Sequence, residues 1–147
     1  MVLRTVHGGR RAESGADLRT WLTQLTGCPP VTETVLLACS ADAHQDEPST
    51  WFYVEADRDS GVARRRCLAC GRVAAVLDSE EHWTHPPVWS CTGCSNSIVE
   101  VAAGLAVAGG AVTWVAIGVR CVDCGTVAGV TDLHVASRPL GEVVAEI

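Results

Sequence analysis

The spacing of apolar positions divides the chain into one amphipathic segment and a series of short β-runs. In SGADLRTWLTQLTG, starting at Ser14, the residues Leu18, Trp21, Leu22 and Leu25 fall on one face of a helix, and Ser14 and Asp17 can cap its start. Gly27 and Pro29-Pro30 end it. A helix this short is marginal in water unless its apolar face docks, and packing on the first β unit is favoured over binding a partner. Residues 1–13, with His7-Gly8-Gly9-Arg10-Arg11, read as a flexible arm. Val35–Cys39 reads as a strand, and Trp51–Glu55 is the strongest β signal in the chain. Arg58-Asp59-Ser60-Gly61 makes a turn, after which Val62–Arg66 and Arg72–Leu77 continue as strands. Further on, Ser97–Val107 and Val112–Arg120 flank the hairpin signal Ala108-Gly109-Gly110-Ala111, and Thr126–Asp132 follows. Val101–Val119 approaches the ~18 apolar residues of a membrane span, but Gly104, Gly109, Gly110 and Gly118 interrupt it. Strand, turn, strand is the expectation, with no membrane partner.

Cysteine placement adds a second pattern. Cys-x-x-Cys-Gly occurs at Cys67/Cys70/Gly71 and Cys121/Cys124/Gly125, with a third pair at Cys91/Cys94. Two cysteines at this spacing can turn both sulfurs toward one point, and the glycine lets the backbone bend so that amides face them. The second knuckle repeats the first at an offset of 54 residues. RRRCLACGRVAAVLD (64–78) shares Arg66, Cys67, Cys70, Gly71, Val73, Ala74, Val76 and Asp78 with GVRCVDCGTVAGVTD (118–132), as Arg120, Cys121, Cys124, Gly125, Val127, Ala128, Val130 and Asp132. Chance would supply roughly one such match at average residue usage. The chain therefore reads as two small tandem modules, not one large core. The expected division is 1–34 arm and helix, 35–78 first module, 79–90 linker, 91–135 second module and 136–147 tail.

Composition fits metal-tied modules, which can be small because an ion substitutes for missing core. Hydrophobic residues make up 48% of the chain, but they are mostly Ala and Val, with one Phe and one Tyr, so large buried cores are not expected. The start Met1-Val2-Leu3-Arg4 lacks the apolar core of a secretory signal, and a cytoplasmic location is expected. In a reducing cytosol, paired cysteines more often hold metal or do redox chemistry than form disulfides. All eleven basic residues are Arg, which suggests a GC-rich bacterial source of actinobacterial type.

The order knuckle, hairpin, knuckle, strand resembles the zinc-ribbon group of small β folds, with rubredoxin-like knuckles. The resemblance implies a mostly β protein: two tandem three-stranded antiparallel zinc-ribbon modules with a short N-terminal α-helix. It also implies a Zn²⁺ ion held by four ligands from two knuckles in each module. Cys91, Cys94, Cys121 and Cys124 fill all four positions of the second site, two Cys-x-x-Cys pairs about 26 residues apart. In the first module Cys39, Cys67 and Cys70 match and one ligand must be replaced. His44 is favoured, since three thiolates with one imidazole is ordinary zinc chemistry; Asp42, Cys28 or no metal are the alternatives. His82 and His85 have ligand-like spacing without a second pair and read as linker surface, as Glu80 and Glu81 beside them read as a solvated cluster.

A four-thiolate zinc site carries −2 and a three-thiolate, one-histidine site −1, which lowers the formal net charge from −6 to −9. Arg64, Arg65, Arg66, Arg72 and Arg120 flank the knuckles and are expected to neutralise them. With no Lys/Arg stripe and no interleaved aromatics, nonspecific nucleic-acid binding is not expected. Saturated metal sites leave no open coordination position, and no phosphate loop, nucleophile elbow or His-Glu-x-x-His is present, so the reading is not an enzyme. The favoured function is a zinc-binding protein-interaction or scaffold module that presents strand edges and Trp51, Trp83, Trp89 or Trp114 to a protein partner. Burial of Trp51 and Trp114 is the competing expectation. The alternatives are a thiol redox switch that releases zinc on oxidation, and a rubredoxin-like iron carrier, since sequence cannot separate Fe from Zn. Edge pairing of the second hairpin into a homodimer is a further option.

Overall fold

The apolar run centred on Gly109-Gly110 forms the middle of the fold. In the computed structural model, which describes residues 3–6, 9–25, 29–40, 44 and 47–147, Val99–Ala108 and Ala111–Cys121 are long antiparallel strands. Gly109 and Gly110 join them at φ of 59° and 80°, the left-handed pair that a two-residue hairpin with the right twist requires. In chain order the elements are β1 (Leu3–Val6), β2 (Gly9–Ala12), α1 (Gly15–Leu22), β3 (Glu33–Leu36), β4 (Phe52–Ala56), β5 (Ala63–Cys67), β6 (Val73–Ala75), β7 (Val99–Ala108), β8 (Ala111–Cys121), β9 (Val127–Pro139) and α2 (Leu140–Ala145). β9 runs past the expected end at Asp132.

One antiparallel sheet has the order β6-β5-β4-β7-β8-β9, and β3 pairs with β7. The two expected modules share this sheet. The two three-strand sets are not separated: Phe52 pairs with Val99 and joins β4 to β7, and Glu33–Leu36 lies along Ala102–Leu105 of the second set. The segment expected to be a linker is also bound to the first set. Val88 bridges Glu55, Trp89 N–H donates to Val54 O at 2.7 Å, and buried Ser79 accepts from Ala63 N–H at 3.0 Å.

The expectation of no large core is corrected. Phe52, Val54, Val99, Val101, Leu105, Val112, Val115, Ile117, Val119 and Val143 belong to a single buried cluster drawn from both repeats and α2. Strand alternation explains most of it: Val99, Val101 and Leu105 of β7 and Val115, Ile117 and Val119 of β8 stand on one face, and Val112 joins them across the register shift between Val112 and Trp114. The β4–β5 hairpin folds over that face, and its turn reaches β9 through Thr131 Oγ1 donating to Asp57 O at 3.0 Å and a contact of Arg58 with Gly129 O.

The opposite face carries Ala102, Gly104, Ala116 and Gly118 beside the larger Glu100, Trp114 and Arg120, and α1 lies on the small residues. Leu22 Cδ2 is 3.0 Å and Trp21 Cζ3 3.4 Å from where a Cβ on Gly118 would stand, and Leu22 Cβ is 3.4 Å from that of Gly104. Leu18 and Leu22 are fully buried against Ala102 and Val127. The helix therefore packs as expected, but on the second repeat and β3 instead of the first module, because that is where Ala and Gly clear a flat surface. Its start is capped as the sequence suggests, with Ser14 Oγ accepting from Asp17 N–H at 3.2 Å and Asp17 Oδ2 accepting from Glu13 N–H at 3.2 Å.

The arm is also corrected. β1 and β2 form an antiparallel pair from Leu3↔Ala12 to Val6↔Gly9. Ala12 is buried, its N–H donates to Gly125 O at 2.7 Å, and Arg11 bridges Thr126. Arg120 anchors the same segment by donating to Ala12 O at 2.7 Å and Glu13 O at 2.9 Å. Of the tryptophans, Trp114 is buried with Nε1 donating to Asp132 Oδ2 at 3.2 Å, while Trp51 is 48% exposed. Trp83 is half-buried under the Arg64 guanidinium at 4.2 Å, and half-buried Trp89 packs on the core. No helix among the described residues is long and apolar enough to cross a membrane.

Candidate metal centres

Three segments share one local bond pattern. The N–H of Gly71, Ser95 and Gly125 donates to the carbonyl of Cys67, Cys91 and Cys121 at 2.9, 2.8 and 2.9 Å. The N–H of those cysteines donates in turn to Arg72, Asn96 and Thr126 O at 2.9, 2.8 and 2.9 Å. The residue after the second cysteine is left-handed in each, with φ of 76°, 67° and 79° for Gly71, Ser95 and Gly125. Cys91-Cys94 is thus a knuckle of the same shape as the other two although it lacks their glycine.

The two repeats each bring four ligand atoms within 4.8 Å of one another: Cys39, His44, Cys67 and Cys70 in one group, and Cys91, Cys94, Cys121 and Cys124 in the other. In the second group Cys91 Sγ is 3.5 Å from Cys124 Sγ, and Cys94 Sγ is 3.5 Å from Cys121 Sγ. In the first, Cys39 Sγ is 3.7 Å from Cys70 Sγ, and Cys67 Sγ is 3.4 Å from His44 Nε2. A tetrahedral site with metal–sulfur bonds of about 2.3 Å has edges of about 3.7 Å, whereas a disulfide closes to about 2.05 Å. None of the seven described cysteines forms a disulfide. The donor sets and spacings fit Zn²⁺ or another tetrahedral thiophilic ion.

Cys39 is placed differently from the knuckle cysteines. It follows β3 and is fixed by a two-way bridge with Ser49, at 2.7 Å for its N–H and 3.0 Å for its carbonyl. Asp42 and Cys28, the alternative ligands, lie outside the described residues, as does His7.

Proton sharing among the thiols shows the same fit. Burial pushes the Cys67 thiol up, but the amides of Cys70 and Ala69 and the Ser49 hydroxyl outweigh it and hold it down to about 6. Cys124 is likewise raised by burial yet held to about 6 by the Thr126 hydroxyl and amide and by Cys91 and Cys94. Cys121 is lowered despite burial, by the Asn96 side chain and the amides of Cys124 and Asp123. Cys94 takes the opposite end: the Asn96 amide favours its thiolate, but hydrogen bonds to Cys121, Cys124 and Cys91, together with burial, push it up to about 12. Adjacent thiols this close cannot all ionise without a cation, and a divalent ion resolves the conflict by displacing the remaining protons.

The expected neutralisation by arginines is largely corrected. Arg64 is paired with Glu55 at 2.9 Å and Arg120 with Glu100 at 2.6 Å. Arg65 is the one whose charge is felt with Cys39 and Cys67; burial lowers its pKa, and those two thiols raise it. Sequence reasoning missed Ser49, Asn96 and Thr126 as groups that hold the sulfurs, because short polar residues beside cysteines carry no distinctive signal. A third grouping, Asp78, Glu81 and His82, is fully exposed, with His82 Nε2 3.5 Å from Asp78, as befits a solvated cluster.

Comparison with protein-family models, curated proteins and solved structures finds no match to this chain.

Proposed function

We propose that this protein is a non-catalytic zinc-binding protein in which two structural metal sites fix a β scaffold for a protein partner. The observation that carries the metal assignment is the gathering of two four-ligand sets, each within 4.8 Å and each with two ligand pairs at 3.4–3.7 Å. Four protein ligands leave a zinc ion no open position for substrate or water, which supports a structural role over catalysis. Bound metal would tie the start of each repeat's hairpin to its far end, and amides and hydroxyls already oriented at the sulfurs would orient the ligands.

The scaffold reading is supported by the open sheet edge and the exposed Trp51, Leu68 and Val73 around the first site. A cytoplasmic setting belongs to the same proposal, since a reducing compartment keeps thiols at these spacings available to a metal. One observation favours the redox-switch reading as a second choice: each site presents one exposed cysteine, Cys70 or Cys94, to an oxidant.

Elemental analysis of the untagged protein tests the assignment. Two zinc ions per chain, falling to one in His44→Ala, are expected. One zinc throughout would remove the first site, and iron in place of zinc would turn the reading toward electron transfer. Zinc loss at low peroxide, matched by thiol loss, would favour the switch.

A further inference from the structure

The free edge of β6 is the point at which the sheet is left unfinished. Cys67 N–H donates to Arg72 O and Val76 N–H to Ala63 O, both at 2.9 Å, so residues 72, 74 and 76 direct their backbone groups toward β5. Strand alternation then directs those of Val73, Ala75 and Leu77 away from it. Leu77 finds a partner there, donating to Glu146 O at 2.7 Å. Among the described residues Val73 and Ala75 have none, since β6 is the last strand of its sheet. An uncovered edge of this kind is a template for another strand.

Beside this edge lies a cavity of about 420 Å³ that carries Arg65 and Arg72; Ala74, Ala75 and Ala145 wall its β6 side, and Phe52 and the ligand Cys39 also line it. Small walls let a backbone come close. The cavity holds two guanidinium groups in a chain of net charge −6, of which Arg65 also feels the Cys39 and Cys67 thiols of the first site. Buried Nε and Nη1 of Arg65 have no hydrogen-bond partner, and a buried donor left unsatisfied is unfavourable. Glu146, on the rim, does not neutralise the pair, because its carboxylate is held by Arg138 at 2.5 Å.

We infer that this groove receives an extended acidic segment of a partner protein, which adds to β6 through the backbone groups of Val73 and Ala75 and sets a carboxylate against Arg65 and Arg72. This deepens the scaffold reading by assigning the partner's chemistry. Backbone pairing supplies affinity, and the arginines select acidic over basic sequences.

The test pans a random heptapeptide library with free C-termini against the full-length, metal-loaded chain, then titrates synthetic copies of the selected peptides by calorimetry. Enrichment of acidic, β-prone sequences is expected. Arg72→Glu should weaken their binding at least tenfold, and Ala75→Pro, which removes an outward N–H without touching the β5 pairing, should abolish it. Failure to enrich any peptide, or equal binding by Arg72→Glu, would overturn the inference. A dimer dissolved by Ala75→Pro would overturn it in favour of a second copy. Saturation of the site by acetate or phosphate, with no peptide bound, would overturn it in favour of a free anion. Zinc content measured on the same samples keeps the two readings apart: two zinc ions without peptide binding would sink only the peptide, and peptide binding without zinc only the structural metal.

Discussion

The left-handed residue after each knuckle makes the clearest single-residue contrast. Gly71 and Gly125 share nearly the same φ, but a Cβ on Gly71 would meet nothing within 4 Å, while one on Gly125 would stand 2.5 Å from Ala12 O. Gly71→Ala should therefore cost only the backbone term, about 1 kcal/mol. Gly125→Ala should cost clearly more, because the β2 end must move off the knuckle. Chemical denaturation of the two variants side by side measures the difference; equal losses would mean that the arm does not dock. At the ligands, Cys121→Ser should halve the zinc content and unfold the surroundings of the second site, since metal binding supplies on the order of 10 kcal/mol of folding free energy in small zinc domains. Retained metal and an unchanged fold would remove the structural role. These ligands were legible in the sequence because knuckle spacing is a local property. His44 was favoured over Asp42 by donor chemistry, since chain length alone lets several residues beyond Cys39 reach the site.

The fit of α1 on β7 and β8 depends on what is missing from the sheet. Gly118→Val adds branches where Leu22 already stands 3.0 Å from the first carbon. Overpacking of about 1–3 kcal/mol should outweigh the strand preference of valine, whose whole scale spans about 1 kcal/mol. Leu22→Ala should cost about 2–5 kcal/mol by leaving a cavity. Thermal melts followed at the tryptophan fluorescence would report both, and a stabilising Gly118→Val would show that the helix does not rest there. A second element contact is pH-linked. The Asp57 carboxyl accepts from Thr84 Oγ1 at 2.8 Å and from the Asp59 amide at 2.9 Å, and these bonds hold its pKa below the usual carboxylate value. Its contribution is present above the unfolded carboxylate pKa of 3.8 and is lost as pH falls through the lower folded value. Asp57→Asn should flatten that acid-side loss, seen as a smaller difference in denaturation midpoint between neutral and acid pH. The helix and hairpins were readable from periodicity, whereas the surface that receives α1 was not, because Ala and Gly on a strand give no sign of what will lie on them.

Across the whole molecule, a core drawn from both repeats predicts one unfolding event. Phe52 and Val54 from the first repeat pack in the same cluster as Ile117 and Val119 from the second. Tryptophan fluorescence and backbone circular dichroism should therefore report one coincident transition for the metal-loaded chain. Removing the second site's metal should lower the stability of β4–β6 as well, and hydrogen exchange resolved by residue would show it. Two separate transitions, or exchange changes confined to residues 91–147, would restore independent modules.

The knuckles, the central hairpin and the capped helix follow from side-chain spacing within one or two turns of chain, and the repeat from comparing the chain with itself. That the repeats share a sheet and a core, that the arm docks on Gly125 and that the helix covers the second repeat emerged from contacts in three dimensions. Those outcomes depend on pairings such as Phe52 with Val99, and Arg120 with Ala12 across 108 positions. Such contacts form where edges and small-residue surfaces become neighbours in space, which local pattern does not encode.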